Sequence, residues 1–103
     1  MLQLVQSQHF QTLLGKTGTL RLPDGSELPI HIDTLEETPR SQMPKSERMP
    51  FSVGVNSLEP TAFVDGLCTL ELPELGQVEG IFVSRVPAMG RDPGKGYFYI
   101  AFN

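Results

Sequence analysis

After Gly15 the hydrophobic period of this chain becomes two, and the later apolar runs are strand-like, either alternating or apolar on both faces. Leu20 and Leu22 alternate with Thr19 and Arg21; Leu28, Ile30 and Ile32 alternate with Glu27, Pro29, His31 and Asp33. The pattern resumes in Phe51, Val53 and Val55, then in Cys68, Leu70 and Leu72; QVEGIFVSRV is apolar on both faces around Ile81, Phe82 and Val83, and YFYIAFN closes the chain. Period-two alternation marks strands with one face toward a core. No spacer between these runs holds a helical crossover, so the strands are expected to pair antiparallel, each mainly with its sequence neighbours. The fold class that follows is mainly β: a small antiparallel barrel or two-layer sandwich of about six strands with one short N-terminal helix. At 103 residues, 1–103 reads as a single domain.

Two local features sharpen this. In PDGSELPIHID, a two-residue Asp24–Gly25 loop would set Leu22 opposite Glu27, apolar against polar. A three-residue Pro23–Asp24–Gly25 loop sets Leu20 opposite Leu28 and Gly18 opposite Ile30, and suits each loop residue: Pro opening the turn, Gly in the left-handed position. Pro29 has no N–H, so its donor side should face an edge or a bulge. Ahead of the strands, Phe10, Leu13 and Leu14 share a helical face, with Ser7 as N-cap and Gly15 as terminator. So short a helix must pack on something, and plugging one end of the β structure is the expected role.

The last strand places Phe98, Ile100 and Phe102 on one face and Tyr97, Tyr99 and Ala101 on the other. The first face belongs to the core. The second is covered by the helix or a long loop, or it docks a partner; a homo-oligomer sealed through this strand would also cover it. TPRSQMPKSERMP, residues 38–50, breaks the alternation with Pro, Ser and charge, and reads as a long loop. Its Arg40, Lys45 and Arg48 form a locally basic stretch on an acidic chain. Tyr97, Tyr99, Arg40, Lys45 and Arg48 are the candidate partner-binding residues.

Net charge is −4, which repels phosphate backbones and argues against nucleic acid and anionic membrane partners. No run approaches the roughly 18–20 apolar residues of a membrane helix. MLQLVQSQHF has no basic leader and no long apolar core, and the single Cys68 permits no intrachain disulfide; both point to the cytoplasm. GRDPGKG is not a phosphate loop: its glycine spacing is one short, Gly96 stands where Ser or Thr is needed, and a strand follows. His31 and Asp33 project from one outward strand face, but with His9 they make a poor metal set, and no metal or other cofactor is expected. Cys68 lies in phase with Leu70 and Leu72, as an inert buried thiol does. Asp24 and Asp65 precede Gly in turns. No catalytic residue is assigned, and the chain is read as a non-enzyme.

HFQTLLGK, MPFSVGV, DGLCTLELPELGQVEGIFVSRVP and the terminal YFYIAFN together resemble a small bacterial domain family of unknown function, over about Ser7 to Asn103. Residues 38–50 have no counterpart in that pattern. The matching segments are mostly core and turn residues, so the resemblance speaks first to fold. It also implies a gene neighbourhood shared with phage-tail-collar-like proteins, and hence an accessory or assembly role beside them. The alternative is a small-ligand-binding β-barrel.

Overall fold

The computed structural model describes residues 5–37, 50–73 and 75–102. Among them lie a short helix, α1 (Gln8–Gln11), and six strands: β1 (Thr17–Arg21), β2 (Glu27–Glu37), β3 (Phe51–Ser57), β4 (Asp65–Leu72), β5 (Gly76–Val86) and β6 (Tyr97–Phe102). Every neighbouring pair is antiparallel, and the sheet closes as a barrel in the order β1-β2-β3-β6-β5-β4. Of the two architectures left open by the alternation, the barrel is the one adopted. It consists of two three-stranded meanders, β1-β2-β3 and β4-β5-β6. They join along β3·β6 over six residue pairs and along β1·β4 only at Leu20–Leu70 and Arg21–Thr69. β3 and β4 are consecutive in the chain but not neighbours; residues 58–64 carry the chain across one barrel end.

The β1–β2 hairpin has the expected register, with Leu20 opposite Leu28 and Gly18 opposite Ile30. Leu22 N–H donates to Ser26 O at 2.8 Å, leaving Pro23, Asp24 and Gly25 as the loop, with Gly25 at φ +89°. Ser26 donates its hydroxyl and its backbone N–H to Asp24, and these bonds hold the Asp24 carboxyl below its ordinary pKa. The Pro29 carbonyl accepts from Leu58 N, beyond the last residue of β3. In a strand, N and O of one residue point the same way, so the missing donor falls where that ladder has ended.

Inward residues of all six strands fill the barrel: Leu20, Leu28, Ile30, Ile32, Val53, Val55, Cys68, Leu70, Val78, Ile81, Val83 and Ile100 are all buried. At one end α1 drops Phe10 between Phe51 and Phe102, with ring centroids 5.9 and 5.6 Å away, while Phe51 and Phe102 stack at 4.6 Å. Phe10 is therefore the plug that was expected, but the helix ends at Gln11, and Leu14, expected on the same face, lies beyond it and is exposed. The start of the helix also differs from expectation. Ser7 has helical angles (φ −56°, ψ −35°) and makes no side-chain cap bond. The first-turn donors His9 N and Phe10 N go instead to the carbonyls of Gln6 and Ser7, at 3.0 and 2.9 Å, and His9 Nδ1 accepts from Gln6 N at 2.9 Å. At the other end, Phe63 packs on Phe98 at 5.5 Å, and Arg85 Nη1 donates to Thr61 O and Phe63 O, tying the 58–64 crossing to β5. No helix among the described residues is long and apolar enough to cross a membrane.

Candidate functional site

The outer wall of the barrel is hollowed where β2, β3 and β6 meet the 87–96 loop. Three local causes combine. First, β2 carries a bulge: Ile32 faces Val55 and Thr34 faces Gly54, so Asp33 is the extra residue. The bulge restores Leu35 to the inner face opposite Val53 and re-aims Asp33 along the outer wall. Second, Gly54 has no side chain there; a Cβ would run into the Thr34 hydroxyl. Third, the 87–96 loop folds back over β6. Met89 (φ 53°) and Gly90 (φ 87°) are consecutive left-handed residues, and Met89 is the one non-glycine described residue with positive φ. A left-handed Met costs roughly 1–2 kcal/mol. The reversal brings Arg91 onto the ring of Tyr97, 3.9 Å from the guanidinium carbon to the ring centroid.

The resulting recess encloses about 190 Å³ and is lined by Asp33, Thr34, Gly54, Arg91, Tyr97 and Tyr99, among others. Its polar groups are ordered. His31 Nδ1 lies 2.5 Å from Asp33 Oδ1, and Asn56 Nδ2 donates to Asp33 Oδ2 at 2.6 Å. Arg91 Nε donates to Ala88 O at 2.7 Å and Nη2 to Pro87 O at 3.2 Å. The outward His31–Asp33 pair was thus legible as a shared face, but the structure makes it a half-buried bonded pair, completed by Asn56 from β3.

Among the residues nominated for binding, Tyr97 and Tyr99 part company. Tyr97 is 6% exposed, roofed by Arg91, whereas Tyr99 is 44% exposed. A long loop does lie over the Tyr face, but it reaches only the first ring. Arg40, Lys45 and Arg48 lie outside the described residues. Beyond Tyr99 two further exposed apolar side chains lie diagonally across the wall, past Ser84. Tyr99 pairs with Ser84 on β5, and the next outward residue of β5, Phe82, pairs with Leu67 on β4. Phe82 is 54% and Leu67 61% exposed. Sequence reasoning missed Arg91, Asn56 and this Leu67–Phe82 extension. Phe82 was visible as apolar on the outward phase, while nothing local signals that Arg91 reaches Tyr97.

The other candidates fall elsewhere. Cys68 is buried in the core, and burial pushes its thiol pKa up to about 11. GRDPGKG is a turn-rich link between two strands, with Asp92 Oδ1 accepting from Gly94 N. Among the described residues no three His, Cys, Asp or Glu side chains gather into a possible metal set. Asp24 and Asp65 border one open cleft of the barrel end with Thr61 and Phe63.

The class these features define is a small, closed, antiparallel barrel domain with a helical plug and a polar–aromatic recess on its outer wall. The chain belongs to a family of domains of unknown function, DUF6916, whose model matches residues 5–102. No curated protein and no solved structure matches it.

Proposed function

We propose that this chain is a non-enzymatic interaction domain, an accessory or assembly subunit that docks phage-tail-collar-like proteins in the bacterial cytoplasm. The observation that carries the reading is the exposed apolar band Tyr99, Phe82 and Leu67, running across three adjacent strands beside the recess. Interfaces concentrate their energy in a few aromatic and Arg anchors ringed by polar groups. Tyr99, Phe82 and Arg91 form such a set on a rigid closed barrel. The collar-like identity of the partner rests on the resemblance of the HFQTLLGK, MPFSVGV and terminal segments. The alternative, a small-ligand-binding barrel, is the weaker reading, because an internal ligand would have to displace the side chains that fill the axis.

The test is a binding titration of the purified chain with the collar-like protein encoded beside its gene. Wild type should bind, and Tyr99→Ala/Phe82→Ala should weaken binding at least tenfold while keeping the native fold by circular dichroism. A folded wild type that does not bind would sink the collar partner. Equal binding by the double variant would sink this surface.

A further inference from the structure

The recess holds two opposite charges, and they are not equally available. Asp33 spends both carboxylate oxygens, on His31 and Asn56. Arg91 is different. A guanidinium carries five N–H donors, and the bonds to Ala88 O and Pro87 O use two of them. Those two bonds and the Tyr97 ring hold the group flat and preorganised, so little side-chain entropy remains to be lost on binding. The same stacking denies the Tyr97 face to any incoming cation. The neighbouring cleft shares Val86 and Tyr97 with the recess vicinity and adds Arg85 and Lys95. Arg91 shares the recess with the Asp33 carboxylate, whose two oxygens are already bonded, and Arg85 and Lys95 lie in the adjoining cleft.

We infer that the recess receives a carboxylate side chain, a Glu or Asp of the partner protein, on the free donors of Arg91. This deepens the interaction reading above and rests on it. Arg–carboxylate contact is planar and bidentate, which fixes orientation as well as charge. Tyr99 supplies an apolar wall for the methylenes of the guest. Gly54 keeps the floor open, since a Cβ there would crowd Thr34. The Leu67–Phe82 band then takes apolar residues flanking the acid.

The experiment is an NMR titration of the ¹⁵N-labelled chain with two blocked pentapeptides, Ala-Ala-Glu-Ala-Ala and its Gln counterpart. The Glu peptide should shift the Arg91 Nε–H and Tyr99 amide resonances saturably. The Gln peptide should bind at least tenfold more weakly. Arg91→Gln should lose the Glu response, Arg91→Lys should keep only part of it because it lacks the fork, and Lys95→Gln should stay within about twofold. Equal response to both peptides, retention in a folded Arg91→Gln, or no saturable shift at the recess would each overturn the inference. If Arg91→Gln proves unfolded, the Arg91→Lys result decides. A collar-like protein that binds through Tyr99 and Phe82 while the Glu peptide does not would sink the carboxylate and leave the interaction reading standing. The reverse pattern would sink the collar partner and leave the carboxylate site.

Discussion

Arg91 lies flat on Tyr97, and its guanidinium is fixed there by two carbonyls of its own loop. One residue thus roofs an aromatic ring, closes the 87–96 loop onto β6, and offers its remaining donors to the recess. Removing it should open the roof. The chain has two tyrosines and no tryptophan, so in a Tyr99→Phe background tyrosine emission reports on Tyr97 alone. Arg91→Ala in that background should raise acrylamide quenching and cost about 1 kcal/mol in urea unfolding, the scale of an accessible cation–π contact. Unchanged quenching would mean that the stacking does not persist in solution.

The plug should matter more than its four-residue length implies. Phe10→Ala removes the ring that Phe51 and Phe102 close around. Loss of about 3–5 kcal/mol is expected for a buried Phe, a large share of the roughly 5–15 kcal/mol that holds such a domain. Leu14→Ala, on the exposed side of the same segment, should stay within about 0.5 kcal/mol. Similar urea midpoints for the two variants would refute the plug as a stability element.

At Gly54 the outer wall tolerates no Cβ while Thr34 keeps its hydroxyl. Gly54→Ala should cost about 1 kcal/mol. In a double-mutant cycle Thr34→Ala should recover at least about 0.5 kcal/mol of it, since the two positions face each other across β2 and β3. Strict additivity would show that the cost is not that contact.

Cys68 sets a pH signature. Its thiol ionises near 9.0 when exposed and is pushed up to about 11 in the core. Between those values the unfolded chain has released a proton that the folded chain still holds. Stability from this group is therefore complete below pH 9 and is lost as pH rises toward 11, by at most about 1.4 kcal/mol per pH unit. The wild-type minus Cys68→Ala difference in unfolding free energy should fall across that window and be flat below it. A flat difference throughout would place the thiol in contact with solvent.

Much of the barrel was legible because its determinants are local. Alternation assigned inward residues in most strands, including Phe98, Ile100 and Phe102, but left β5 apolar on both faces, and turn chemistry set the β1–β2 register through Gly25. Ser7 was misread because a Ser ahead of a helical pattern usually caps it, whereas here Ser7 is already helical and the carbonyls of Gln6 and Ser7 take the first-turn donors. The site was legible only in fragments. His31 and Asp33 could be placed on one face from their spacing, and Tyr99 on another. Their common recess depends on β3 lying between β2 and β6.

The sequence by itself determined most inward residues outside β5, where the hairpin turns and that a short helix must be buried, since side-chain period and turn preference act within a few residues. Only the tertiary structure decided that β1 closes on β4 and β3 on β6, and that Asp33 bulges. It alone decided that Tyr97 is roofed while Tyr99 is open. The strand closures and the bulge belong to contacts between residues tens of positions apart, and the roof over Tyr97 to a loop reversal that no side-chain period signals. Barrel closure joins the two meanders at both seams, though β1 meets β4 at only two residue pairs, and the loop that caps β6 must reverse through Met89 and Gly90 to bring Arg91 home.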